Sequence, residues 1–343
     1  MKGFQVSAPH AYAVVDTAEA IPDVDEVRVT VAHAGICGSD MHIIHGDNAF
    51  VRYPRITGHE FAGTVTAVGA NVDSARVGQR VCVDPVISCG SCYPCRIGRP
   101  NVCTHLEVIG VHRDGGFQTQ VAVPAANAHV LPESLSPEAG ALVEPYSIAA
   151  NVLARMAPQP GDRLLIFGAG VIGLTVLQMA RALGIEEVAV TDIIDARLEA
   201  ARALGAARVV NGGQQDIEAF ASQWTDGEGV PLVADAACVP ALLASMVRLA
   251  SPAARIGLLG FSATASDLVQ LEVIRKELTL VGSRLNNRRF PQVLELIASG
   301  RLDPAALVSH RLPLTDMVEA IDLIERTPEQ TRKVLIDVAS SVS

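Results

Sequence analysis

Residues 163–192 constrain the fold more than any other stretch. Arg163-Leu164-Leu165-Ile166-Phe167 reads as a buried strand, and Gly168-Ala169-Gly170-Val171-Ile172-Gly173 follows it directly. A helical run, 174–183, comes next. Then Val188-Ala189-Val190-Thr191-Asp192 reads as a second strand, ending in an acid nineteen residues after Gly173. In such a strand-turn-helix the first glycine makes the tight turn. The second admits a pyrophosphate close to the backbone, and the third lets helix and strand pack. The helix N-terminus at Val171 and Ile172 offers unsatisfied N–H groups and a positive dipole end to phosphate. An acid about 20 residues on completes a dinucleotide-binding unit. Asp192 would accept hydrogen bonds from ribose hydroxyls and repel a 2′-phosphate, which favours NAD over NADP. Arg197, five residues on, lies against the adenine or is solvated.

Strand and helix keep alternating through 209–210, 232–236, 255–259 and 278–281. That pattern predicts about six parallel strands in the doubly wound order. The intervening helices are expected to start near Ala196, Asp216, Pro240 and Asp267. One part of this region also reads as a membrane span, because 164–180 is apolar except for Thr175 and Gln178. It falls just short of the roughly 18 residues a spanning helix needs, and its glycines fit the strand-turn-helix better. With 343 residues, 49% of them apolar, the chain suggests two domains and a large core. A net charge of −10 argues against nucleic-acid partners and anionic membrane surfaces. Met1-Lys2-Gly3-Phe4-Gln5-Val6-Ser7 has no signal-length apolar run, so a soluble cytoplasmic protein is expected.

Four of the seven cysteines crowd together as Cys89, Cys92, Cys95 and Cys103. Four thiolates at this spacing fold a loop around one tetrahedral ion and leave no open position, so that ion is structural. Two disulfides would suit a secreted chain; the odd cysteine count and absent export signal favour zinc. The lobe, 88–104, has almost no aliphatic core, so the metal must supply its folding energy. A second set of donors is Cys37 with His59 and Glu60. Thiolate, imidazole and carboxylate are the ligands of a borderline-soft ion such as zinc, and three of them leave a fourth position for water or substrate. Taken singly, His59 also reads as a satisfied core histidine and Cys37 as a small buried apolar residue.

These residues sit among short alternating strands at 26–32, 61–68, 80–83 and 118–123, with glycine turns, which predicts a small antiparallel barrel. Cys37 falls on a turn whose glycines, Gly35 and Gly38, can adopt conformations other residues resist. A helix over 138–144 is expected to end at Glu144-Pro145, with the Glu144 carboxylate solvated, capping, or facing the ion. After Arg289 the pattern changes to helices at 291–298 and 315–326 and a strand at 333–338.

Taken together, the zinc pattern Gly58-His59-Glu60 with Gly63 and Gly69, the four-cysteine lobe and the glycine turn resemble the zinc-dependent medium-chain dehydrogenases, from end to end and in order. The resemblance implies a GroES-like β-barrel catalytic domain at 1–146, a Rossmann NAD-binding domain at 147–286, and a return to the catalytic domain at 287–343. Glu144-Pro145 is similar to the polyol and sugar-acid branch: sorbitol, threonine and hexonate 5-dehydrogenases. In that branch a glutamate stands where simple alcohol dehydrogenases have a cysteine ligand.

What the resemblance implies is oxidation of a secondary alcohol of a polyol or sugar acid, with a hexonate C5 hydroxyl as the best match. The cofactors would be NAD, one catalytic zinc and one structural zinc, and the protein a dimer or tetramer. Ser39 and His42 would relay the alcohol proton. Cys37 and His59 would hold the ion; Glu60 and Glu144 each bind it directly or act at one remove. Arg284, after the sixth strand, would grip either a substrate carboxylate or the cofactor pyrophosphate. A regulatory protein that binds NAD and zinc without turnover is the alternative from another class.

Overall fold

The computed structural model describes residues 1–342; Ser343, the end of the expected returning segment, lies outside the described residues. The chain forms two compact units, Met1–Ser147 with Asn286 onward, and Ile148–Leu285.

The first unit is built on the strand Glu26–Gly35. Val27, Val29 and Val31 are buried while Arg28 and Thr30 face outward, as a period of two requires. Antiparallel partners lie on both sides of it. On one side come Glu60–Val68, Arg80–Val83 and Ala128–Val130; on the other comes Lys333–Asp337, with Val308–Pro313 added parallel to it at the edge. Gln120–Pro124 also pairs with the central strand. The core is aliphatic and aromatic: Phe61, Val65, Val81, Val83, Val121 and Val123 are all nearly inaccessible. A two-stranded ribbon, Val86–Ile87 with Glu107–Val108, closes the base of the cysteine lobe.

Several details differ from the sequence reading. Lys2–Ala8, Ala11–Asp16 and Arg55–Ile56 form an unforeseen three-stranded sheet, and Val308–Pro313 is an unforeseen strand. Cys37 does not sit on a free turn; it caps the helix Gly38–His45. Neither Gly35 nor Gly38 takes a positive φ. Gly35 is needed for space instead. It pairs with Glu60 across the sheet, and a Cβ there would come within 2.2 Å of Glu60 Oε2. Pro145 does not end a helix either. A short helix, Pro137–Ala141, stops before it, and Glu144-Pro145 opens the helix Val143–Met156. Proline is tolerated in a first turn, where its missing N–H has no helical partner to lose.

The second unit has a six-stranded parallel sheet in the order Arg208–Asn211, Val188–Asp192, Leu164–Phe167, Val230–Asp235, Ala250–Leu258, Thr279–Gly282. Its strands are apolar on both faces, as strands covered by helices on both sides must be. Leu165, Phe167, Val233, Met246 and Ile256 pack in one buried cluster. The helix expected from Asp267 begins at Gln270 instead. No helix among the described residues is long and apolar enough to cross a membrane.

Asp84 clips the returning segment to the first unit. Its Oδ1 accepts hydrogen bonds from Asn286 Nδ2 at 3.0 Å and from the Val86 N–H at 3.0 Å. Burial raises its pKa above the usual carboxylate value, although those two donors oppose the rise. A raised carboxyl pKa makes no demand on stability at acid pH; the penalty appears as pH climbs through the folded-state pKa. Asp84→Asn keeps an acceptor for both donors and removes the charge. It is expected to raise the melting temperature at pH 8, with the gain vanishing toward pH 4. Thermal melts of both proteins across that range check it; a gain independent of pH would contradict it.

Candidate functional site

Two metal-ligand clusters stand out among the described residues. The ligand atoms of Cys37, His59 and Glu60 lie within 4.8 Å of one another, and so do those of Cys89, Cys92, Cys95 and Cys103.

Asp40 holds the first cluster together, and the sequence reading missed it. Its carboxylate is 1% exposed. Oδ2 accepts from the Cys37 N–H at 2.9 Å and Oδ1 from the Gly58 N–H at 3.1 Å. Oδ1 also lies 3.7 Å from His59 Nδ1. One carboxylate thus ties the Cys37 turn to the Gly58-His59 turn and leaves Nε2 as the ring nitrogen turned to the other donors. The spacing Cys37-x-x-Asp40 is that of a capping box, with cysteine in place of serine; that was the available signal.

Lys333 is the second missed residue. Its ammonium, 2% exposed, donates to Glu60 Oε1 at 2.8 Å, Glu60 Oε2 at 2.6 Å and the Ile36 carbonyl at 2.9 Å. All three of its donors are used. Burial works against this ammonium, but Glu60, with Cys37 and Glu144 behind it, holds its pKa above the usual lysine value. Both oxygens of Glu60 are therefore engaged by a cation already.

Glu144 is not among the converging donors. It is 4% exposed, and burial pushes its carboxyl up to about 8, with Glu60 and Asp84 adding to the rise and His59 and Lys333 opposing it. Ser39 Oγ lies 3.3 Å from His59 Nε2, while His42 is exposed on the same helix. Burial disfavours a charged His59, yet Asp40 and Cys37 hold its pKa well above the usual imidazole range. The Asp40 carboxylate beside the ring and the Cys37 thiol make this a pocket that suits a cation. Its soft and nitrogen donors suit zinc.

In the lobe the sulfurs of Cys92 and Cys95 are 3.4 Å apart, Cys92 and Cys103 3.6 Å, and Cys103 and Cys89 3.5 Å. Four sulfurs around zinc with bonds of about 2.3 Å would stand roughly 3.8 Å apart. All four cysteines are free of disulfides. Backbone N–H groups of Cys95 and Thr104 draw the Cys92 thiol down to about 5, whereas desolvation holds Cys95 up at about 11. Four thiolates this close need a cation to exist together, so the residues fit a bound zinc.

In the second unit Gly168 has φ +97°, and a Cβ there would meet the Ala237 N–H nitrogen at 2.8 Å. A Cβ on Gly173 would lie 1.8 Å from the Gly168 carbonyl oxygen. Gly170 caps the helix Val171–Ala182 and has open space where its Cβ would be. That is room for a phosphate against the first-turn N–H groups of Val171, Ile172 and Gly173. Asp192 ends its strand. It accepts from the Ala169 N–H at 2.7 Å through Oδ2, and from the Ile193 and Ile194 N–H groups at 2.8 and 3.0 Å through Oδ1. A carboxylate has about four acceptor positions, so one remains for a ribose hydroxyl. Arg197 is half-buried in the helix Asp195–Ala203. Arg284 follows Thr279–Gly282 and lies over the Phe261 ring, 5.6 Å from its centroid.

Residues 23–133 match the alcohol dehydrogenase GroES-like domain, and residues 171–299 match the zinc-binding dehydrogenase family. The chain is a zinc-containing medium-chain dehydrogenase. It is 45% identical over 338 residues to starvation-sensing protein RspB of Escherichia coli K12, covering 98% of this chain and 99% of that protein. It is 35% identical to a 2-dehydro-3-deoxy-L-galactonate 5-dehydrogenase of Pseudoalteromonas atlantica, over 98% of this chain and 96% of that one. A crystal structure of RspB from E. coli CFT073 in complex with NADH superposes with a TM-score of 0.95 at 44% identity, covering 98% of this chain and 99% of that one. As a member of this dehydrogenase family, the protein acts on CH–OH groups with NAD.

Lys333 and Glu60 make a prediction of their own. Lys333→Met leaves a buried carboxylate without its cation and is expected to destabilise the fold by about 3–5 kcal/mol. Pairing it with Glu60→Gln is expected to restore most of that loss. Denaturant unfolding of the two variants checks it; a Lys333→Met protein as stable as the parent would show that the pair contributes nothing.

Proposed function

We propose that the protein oxidises a secondary hydroxyl of a sugar acid, with a hexonate C5–OH as the best match and NAD as acceptor. The convergence of the Cys37 and His59 donors, with Ser39 beside Nε2, carries the dehydrogenase part of this reading. The sugar-acid part is supported by the named relative that acts at C5 of a hexonate derivative over nearly the full chain. Bound zinc would supply a Lewis acid that lowers the pKa of an oxygen it holds, and NAD would take up the hydride.

The chain's own residues have these roles. Cys37 and His59 would hold the ion, and Asp40 orients both. Lys333 neutralises Glu60, which favours Glu60 acting at one remove from the ion, and Glu144 reaches it directly or through water. Cys89, Cys92, Cys95 and Cys103 hold the structural ion. Ser39 would take the alcohol proton, and His42, exposed on the same helix, would hand it to solvent. Gly168, Gly170, Val171, Ile172 and Gly173 would hold the pyrophosphate, Asp192 the adenosine ribose, and Arg197 the adenine. Arg284 grips the substrate carboxylate.

A dimer is the proposed assembly. Thr279–Gly282 is an edge strand of the parallel sheet, and Leu271 and Ile274, just before it, are each 66% exposed. An unpaired edge beside exposed aliphatic side chains is a surface that a second copy can cover.

Three experiments test the reading. Purified protein with NAD should reduce it in the presence of a hexonate and more weakly with the matching uncharged polyol or threonine, followed as NADH absorbance. Arg284→Gln should lose about tenfold or more of kcat/KM on the hexonate and little on the polyol; equal losses on both would refute the carboxylate role. Absence of turnover on every compound would favour the regulatory alternative, which the name of the RspB relative also raises. His42→Ala should lower kcat several-fold, within the ~10²–10⁴ range of acid–base groups at most, and displace its pH profile. An unchanged profile would remove His42 from the relay.

A further inference from the structure

The turn that carries Arg284 is held by a side chain with no role assigned so far. Leu285 sits at φ +51°, a left-handed conformation that a residue with a branched side chain resists. The Ser283 N–H donates to the Leu258 carbonyl at 2.9 Å, so the turn begins where the ladder between Ala250–Leu258 and Thr279–Gly282 ends. Asn151, 1% exposed, spends its amide on this turn. Nδ2 donates to the Leu285 carbonyl at 2.9 Å and Ser283 Oγ at 3.1 Å, and lies 3.4 Å from the Arg284 carbonyl. One buried amide reaches three consecutive residues.

On the outer side, the Arg284 guanidinium lies over the ring of Phe261, which is 72% exposed. A cation held over an aromatic ring is attracted to its face, which restrains where the guanidinium can swing. A strained turn persists only where its surroundings over-determine it, and such turns collect at ligand sites. This one lies at the carboxyl ends of two neighbouring strands, where open α/β sheets bind ligands.

We propose that Asn151, Arg284 and Phe261 form a preassembled oxyanion clamp. Asn151 fixes the backbone that carries Arg284, and Phe261 restrains its guanidinium. The inference rests on the reading of Arg284 as a ligand-gripping residue. Its ligand chemistry is a planar or tetrahedral oxyanion, which the carboxylate of a sugar acid and the pyrophosphate of the cofactor share. Asn151 is a positioning residue: it acts through Arg284 by removing the freedom that the arginine would otherwise lose on binding.

The test compares Asn151→Ala, Phe261→Leu, Arg284→Gln and the double variant Asn151→Ala/Arg284→Gln. The readouts are KM and kcat on a hexonate and on the matching polyol, and the NADH dissociation constant from fluorescence. Arg284→Gln is expected to weaken one oxyanion ligand, and which one it weakens distinguishes carboxylate from pyrophosphate. Asn151→Ala and Phe261→Leu should weaken that same ligand by about three- to tenfold with kcat little changed. The double variant should bind no worse than Arg284→Gln alone. Additive losses, a uniform fall in kcat with no ligand preference, or an Arg284→Gln protein that binds both ligands normally would overturn the clamp. If Asn151→Ala does not fold, Phe261→Leu, a change at an exposed ring, decides: a selective loss supports the clamp and normal binding refutes it. Should the parent protein oxidise no hexonate, the sugar-acid reading fails by itself, and the clamp is judged on NADH.

Discussion

A lysine ammonium shut away from water keeps its charge only if an anion is placed against it, and the first unit is arranged to do this for Lys333. The partner, Glu60, comes from a different strand 273 residues away in sequence. Between them runs Glu26–Gly35, with Glu60–Val68 on one side and Lys333–Asp337 on the other. The absence of a side chain on Gly35 gives the Glu60 carboxylate its space. The same ammonium donates to the Ile36 carbonyl, next to Cys37. Register, glycine placement and one buried pair therefore fix where the thiol of Cys37 stands relative to the ring of His59. Desolvation of two charges is expensive, and such a pair is better understood as specifying an arrangement than as a net source of stability.

Asp40 does for the two ligand turns what Lys333 does for the sheet. Its carboxylate joins the N–H groups of Cys37 and Gly58 and stands beside His59. The ion pocket is thus ringed by acids and bases that face one another: Asp40 beside His59, and Glu60 against Lys333. The cysteine lobe follows the opposite plan. It has hardly any core of its own, and its thiols hydrogen-bond to neighbouring backbone N–H groups and to one another, so its order depends on the ion it encloses.

Much of this was legible in the sequence. The strand-turn-helix at Gly168–Gly173, the six-stranded order and the two donor clusters follow from local spacing, and local spacing is what a sequence displays. What escaped depended on contacts across long separations. Nothing near Lys333 marks it as buried; its environment is made by Glu60 and the central strand. The N-terminal strands and Val308–Pro313 are short and find their partners far away. Pro145 was misread because a proline that stops one helix and a proline that opens the next look alike until the residues before it are placed. Gly35 was given the wrong reason, conformation in place of space, because the neighbour that fills that space is twenty-five positions on. Asp40 could have been found from its capping-box spacing, had cysteine been admitted as a cap.

The first unit is not continuous along the chain. Its central sheet acquires Lys333–Asp337 only after the whole nucleotide-binding unit has been made. On a ribosome, the early strands must wait with an unmatched Glu60 carboxylate and an open sheet edge while about 185 further residues, 148–332, are added, at roughly 5–20 residues per second. The order of assembly is thereby written into the topology: the nucleotide half can mature first, and the metal half is finished by a strand that follows it in the chain.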